Sequence, residues 1–446
     1  MTMKKMTYLL CGLLLTGSAI AQETEHSSIE QLEQRTDALE TAVTGIKKLK
    51  VSGYVQGQLQ HGQEEAALKV GAAKTSKEEN FYRFGIRRGR IKFTYDANQV
   101  ASGVFQLDVT EKGVNVKDMY INLKDPWWQT LNLCTGLFNR TFGYEIAYSS
   151  SQRESPERST VFQTLFPDER DLGVAVMLQA PKTSPWNILK LEAGMFAGNG
   201  IRSDFHNRKD FIGHLSAAKT LDDISLGGGI SYYNGAIIQA TENVYKMKNN
   251  SFVLDEKLSG EGSVGNYVKR DYVGLDFQFR SMSLLGRTQL TAEYLFGTQP
   301  GTKGSSNGLT RNLDKIPDDA AANDTYIRNF SGWYVMLVQD FGATPFSVVA
   351  KYDVFNPNTK VSGNNVGYQE KAQNEEGETV VVKDSRTSKT DLQQSTLGVG
   401  LLYRINPAIK LTAYYEIVGN EKTKNVSGFE EDRKDNVFTL RLQYKF

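Results

Sequence analysis

The chain has 446 residues, 39% of them hydrophobic, 23% charged and 11% aromatic, with a formal net charge of +1. It is too polar for a bundle of membrane helices, each of which needs about 20 apolar residues in a row. With 21 Tyr and 22 Phe it is too rich in large apolar side chains for a disordered chain, and it lacks the basic excess of a nucleic-acid binder.

Lys4 and Lys5, an apolar core from Tyr8 to Leu15 and an Ala19-Ile20-Ala21 cleavage motif predict a signal peptide over residues 1–21. Leu10, ahead of Cys11, is too large for a lipid-attachment site. Cleavage removes Lys4, Lys5 and Cys11. The mature chain then carries a net charge of about −1, and Cys134 has no cysteine to pair with.

Residues 22–48 predict a short periplasmic coiled-coil helix. Ser27 or Ser28 caps it, and Glu30 and Glu33 suit its positive end. Ile29, Leu32, Thr36, Leu39, Val43 and Ile46 form a heptad seam. The seam is too short to be stable alone in water, so it makes sense where something else already holds the chains together. The alternative is one amphipathic helix packed on its own chain.

From residue 49 to 446 the hydrophobic period is 2. At the C-terminus Phe438, Leu440, Leu442, Tyr444 and Phe446 share one face, and Val437, Thr439, Arg441, Gln443 and Lys445 the other. The same alternation runs through 273–280, 289–296, 346–354, 396–405 and 410–417. Segments of this length, with aromatics such as Phe296, Tyr403, Tyr415 and Tyr444 at their ends, predict an all-β fold. It is a transmembrane antiparallel β-barrel of about 16 strands. The strands are expected at 50–60, 82–96, 101–111, 114–124, 129–139, 171–181, 187–198, 209–220 and 223–234. They continue at 269–281, 285–297, 329–341, 344–355, 392–406, 408–419 and 434–446. Short turns at Asp96-Ala97-Asn98, Lys124-Asp125-Pro126, Met282-Ser283 and Asn406-Pro407 face the periplasm. Long polar stretches at 61–80, 140–169, 236–267, 298–328 and 356–390 face outside. Such a barrel is wide enough for an aqueous channel.

A channel selects by the charges that line it. With Ile91, Phe93 and Tyr95 facing lipid, Arg88, Arg90 and Lys92 point into the lumen, as do Arg441 and Lys445 on the neighbouring last strand. Guanidinium groups suit oxyanions such as phosphate. Lumenal charges also keep a pore wet and pair with Asp108, Asp118 or Glu416. The stretch 138–171 mixes Phe142, Tyr144, Tyr148, Phe162 and Phe166 with alternating charges. A loop dangling in water would not carry so many apolar anchors. It is expected to fold into the barrel as a constriction, the alternative being an extracellular cap or a latch between subunits.

The sequence resembles the phosphate-selective porin family (porins O and P), in the branch with a coiled coil before the barrel. The likeness runs from the coiled coil to Phe446 and is carried by Lys50-Val51-Ser52-Gly53-Tyr54-Val55-Gln56-Gly57-Gln58, Phe81 to Ala97 and Gly136-Leu137-Phe138-Asn139-Arg140. Phe142-Gly143-Tyr144-Glu145, the block SSSQRESPERS (149–159) and Glu169-Arg170-Asp171-Leu172-Gly173 complete it. The resemblance implies a homotrimeric sixteen-stranded channel in outer-membrane lipid, passing small anionic solutes such as phosphate along lumenal arginines. It also places Arg140, Arg153, Arg158 and Arg170 in the constriction motif and makes the heptad helix a trimer clasp. No cofactor and no nucleic acid is implied, and His61, His206 and His214 lack metal-ligand spacing. The competing readings are a general, weakly selective porin for small hydrophilic solutes and a structural or adhesive surface protein. A third is an outer-membrane enzyme built on His214 and Ser216, which share a strand face.

Overall fold

The computed structural model describes residues 47–75, 79–307, 321–376 and 378–446, with positions 34–36, 45 and 313. The predicted signal peptide and nearly all of the predicted heptad helix lie outside them.

Sixteen antiparallel strands form the wall: β1 (Leu49–Gly62), β2 (Phe81–Asp96), β3 (Ala101–Thr110), β4 (Gly113–Lys124), β5 (Leu131–Asn139), β6 (Arg170–Gln179), β7 (Leu189–Phe196), β8 (Asp210–Leu221), β9 (Ile224–Ile238), β12 (Tyr267–Ser283), β13 (Gly286–Gly301), β14 (Thr325–Asp340), β15 (Phe346–Asn356), β18 (Gln394–Arg404), β19 (Ile409–Asn420) and β20 (Val437–Lys445). Every expected strand is present, with ends shifted by a few residues. Each wall strand pairs with its neighbour, and β1 pairs with β20 from Tyr54↔Lys445 to Gly62↔Val437. That seam closes the barrel and leaves no open edge in the wall. At its base Phe446 N donates to Gly53 O at 3.0 Å, and Gly53 N donates to Phe446 O at 2.9 Å.

Two hairpins above the wall were not anticipated. β10 (Val244–Lys248) and β11 (Ser251–Leu254) extend the sheet, Val244–Lys246 running parallel to Thr325–Ile327. β16 (Gln369–Gln373) and β17 (Thr379–Asp384) form a separate exposed hairpin. Thr110 and Gly113 are joined by a tight turn, as the expected strands 101–111 and 114–124 require.

The alternation lies as predicted. Val55, Phe84, Met119, Leu275, Phe296, Val399 and Leu442 stand exposed on the outer face, as a lipid-facing surface requires. The largest buried apolar cluster is not in the wall. It lies inside the lumen, where Phe142, Ile146, Val161, Phe162, Leu165 and Phe166 of the loop between β5 and β6 meet Tyr233, Tyr272, Phe330 and Tyr334. Fully burying a large apolar side chain contributes about 1.5–3 kcal/mol, so this cluster holds the loop in.

Candidate conduction site

The infolded loop crosses the lumen in two sections. Arg140 N donates to Glu169 O at 3.1 Å, so its two ends meet at the wall. Gly143, at φ +62°, turns the chain where a side chain would be strained. Tyr144 N and Glu145 N then donate to the Glu293 carboxylate at 2.8 and 2.6 Å, and Tyr334 OH donates to it at 2.7 Å. A short helix, α1 (Thr160–Leu165), follows later in the loop. Its opening N–H groups are satisfied by carboxylates. Ser159 N and Oγ donate to Glu145 at 3.0 and 2.5 Å, and Thr160 N donates to Asp353 at 3.0 Å. Lys351 Nζ donates to Glu145 Oε1 at 3.1 Å. Phe166 meets Tyr233 and Tyr272 edge-on at 6.0 and 5.8 Å. Glycine in the wall makes room: a Cβ on Gly332 would lie 2.6 Å from Val161, and one on Gly274 would lie 2.8 Å from the Phe142 ring.

The other section rests on the seam. Tyr54 OH lies 2.5 Å from Ser150 Oγ, which also accepts from Arg90 Nη1 at 3.1 Å. Gln443 Nε2 donates to Ser151 O at 2.9 Å. Glu157 is the hub. Arg87 donates to it through Nε and Nη2, both at 2.8 Å, Arg88 through Nη2 at 2.8 Å and Arg441 through Nη2 at 2.9 Å. Burial pushes the Glu157 carboxyl up, but Arg88, Arg87 and Arg441 outweigh it and hold it well below the usual carboxylate range.

The predicted residues therefore stand in distinct places. Arg88, Arg90 and Arg441 face inward and are covered by the loop. Arg158 lies within the loop, donating to Glu145 O at 2.8 Å and to Ile146 O at 3.1 Å and pairing with Glu169. Arg170 pairs with Asp118 at 2.9 Å and with Glu169 at 2.7 Å, and Arg140 with Asp171 at 3.1 Å. Arg153 is buried, and its three guanidinium nitrogens have no hydrogen-bond partner among the described residues. Lys445 shares the inward phase but stands exposed at the end of its strand. The sequence reading missed Arg87, Glu157, Glu145, Lys351 and Glu293. Arg87 escaped strict alternation because a bulge places Arg88 opposite Gln56 and Ile86 opposite Gly57, leaving Arg87 as the extra residue. The pair of adjacent arginines between Gly85 and Gly89 was the available signal.

The loop leaves one side of the lumen open. A cavity of about 530 Å³ runs along β2–β8, lined by Lys92, Thr94, Ser102, Asp118, Asn122, Asn132, Cys134, Glu192 and His214 on the wall and by Arg140, Thr141 and Gly143 on the loop. Of the nine basic residues singled out from the sequence, Lys92 and Arg140 border it. His214 does not engage Ser216: its Nε2 lies 2.9 Å from Asp276 Oδ2.

No protein-family model matches the chain, and no curated protein sequence does. Among solved structures, the outer membrane channel DcaP of Acinetobacter baumannii shares 12% identity, with 89% of this chain and 97% of that chain covered and a TM-score of 0.50. OmpF of Salmonella typhi in complex with daunomycin shares 11% identity, with 89% and 97% covered and a TM-score of 0.49. An anion-selective porin from Comamonas acidovorans shares 8%, with 89% and 99% covered and a TM-score of 0.48. The closed sixteen-stranded barrel is thus the fold of that outer membrane channel.

Proposed function

We propose that the protein is a passive diffusion channel of the outer membrane for small hydrophilic solutes, with a preference for small anions, phosphate among them. The observation that carries this reading is the loop packed on one side of the lumen with a cavity along the other, lined by charged and polar groups among apolar ones. The preference is argued from charge. On the seam side Arg87, Arg88, Arg90, Arg153 and Arg441 outnumber Glu154, Glu157, Asp108 and Glu416 by a single charge, and Lys92 projects into the cavity. It is a mild preference, because most of these guanidinium groups are paired with carboxylates and their fields largely cancel. A signal peptide over 1–21, a heptad clasp over 22–48 and assembly as a homotrimer in outer-membrane lipid belong to the same proposal.

Planar-bilayer recordings in asymmetric KCl, with and without phosphate, test it. Conductance steps with an anion-directed reversal potential are expected. Equal permeability to cations and anions would leave a general porin, and a protein that raises no conductance would favour the surface-protein reading.

A further inference from the structure

The sequence reading singled out His214, and the constriction makes no use of it. Its ring borders the open cavity from β8, beside Glu192 of β7, which is its cross-strand partner. Nδ1 lies 3.9 Å from Glu192 Oε2, and Nε2 lies 2.9 Å from Asp276 Oδ2 on β12. The strand between β8 and β12 is β9. His214 reaches across it because β9 carries Gly227-Gly228-Gly229 at that level. A Cβ on Gly229 would lie 2.3 Å from His214 Nε2 and 2.7 Å from Asp276 Oδ2. The glycine is thus a gap through which the histidine and the carboxylate meet.

We propose that His214, held between Glu192 and Asp276, is a specificity-determining residue whose protonation sets how far the pore prefers anions. The inference rests on the channel reading. With a protonated imidazole the three side chains carry a net charge of −1, and with a neutral one −2. The other groups facing this trio are few. From β7 Lys190 pairs with Glu192 at 3.0 Å. On β12 Gln278 Nε2 donates to Asp276 Oδ1 at 2.7 Å, and Arg280 follows on the same face. β9 presents Ser231 and Gly229, β13 presents Glu293, and the loop presents Arg140 and Tyr144. The trio is therefore a patch of negative charge on a wall that also carries Lys92, Lys190 and Arg280, and one proton changes its strength.

Reversal potentials in a KCl gradient, recorded from about pH 5 to about pH 10, test this. In the unaltered protein the anion-to-cation permeability ratio should fall by about two- to threefold as pH rises, the effect of one unit charge several ångströms from the ion path. His214→Gln should flatten that step and hold the ratio at its high-pH value. Gly229→Ala keeps every charge but forces ring and carboxylate apart, so it should displace the step along the pH axis. Glu192→Gln should raise the ratio at every pH and serves if the other variants do not assemble. A His214→Gln channel with the unaltered pH profile overturns the proposal while leaving the channel reading intact. Absence of conductance from the unaltered protein would overturn the channel reading itself.

Discussion

The two flanks of the barrel make a contrast. The strands from β3 to β7 have 10, 12, 9, 10 and 8 residues, whereas β9 has 15 and β12, β13 and β14 have 17, 16 and 16. Both flanks present the same apolar alternation outward. They differ inward. The short flank shows Ser102, Asn122, Asn132 and Cys134 to an open cavity. The long flank shows Tyr233, Tyr272, Tyr334 and Glu293 to a docked loop, and Asp353 of the adjoining β15 does the same. The outer face decides that a chain becomes a barrel, and the inward residues decide which part of the lumen is filled.

Substitutions on the two flanks should accordingly separate into those that move the loop and those that only recharge the passage. The largest effect is expected from Glu157→Gln, which leaves Arg87, Arg88 and Arg441 without their shared counter-charge. Breaking a buried pair by removing one partner costs about 3–5 kcal/mol. The loop should undock, seen as a lower melting temperature and a larger single-channel conductance; an unchanged conductance would remove Glu157 as the anchor. Gly332→Val or Gly274→Val should follow, each pushing a side chain into the loop at about 1–3 kcal/mol of overpacking. A change at Gly103 on the outer face of the short flank, opposite Tyr95, where a Cβ meets nothing within 4 Å, should leave conductance alone.

Acid should reach the loop late. Glu157 is held below its ordinary range, so its contribution is complete above the unfolded value of about 4.3. It is lost only as pH falls through the lower folded value. Melting curves in detergent should therefore show this loss below about pH 4 and not in mild acid; Glu157→Gln should abolish that part of the acid dependence. The smallest structural effect is expected from Lys92→Glu. It should alter stability by no more than about 0.5 kcal/mol yet shift the reversal potential toward cations. An unshifted potential would mean that the open cavity is not the ion path.

Much of this was legible because lipid and water act on every strand locally. Alternation from Val51 to Phe446 located all sixteen strands and the inward phase of Arg88, Arg90 and Arg441. The aromatics of 138–171 pointed to a loop folded inside. Its partners were not legible. Tyr144 reaches Glu293 across 149 positions, Thr160 reaches Asp353 across 193, and Lys351 reaches Glu145 across 206. No local pattern records such pairings. Nor does a period-2 pattern register an extra residue such as Arg87, or show that most of the arginines would meet carboxylates rather than solute.

The seat of the loop on the seam has a consequence for assembly. Arg88 belongs to the second strand and Arg441 to the last, and Glu157 holds both. Its bond to Arg441 joins residues 284 positions apart, so it must await the end of the chain. Closing so long a loop costs little more than closing one half its length, but the C-terminal strand must arrive before this side of the loop has a wall to rest on. The loop's seat is completed in the same event that seals the cylinder, and in a barrel still open at β20 that seat has not yet formed.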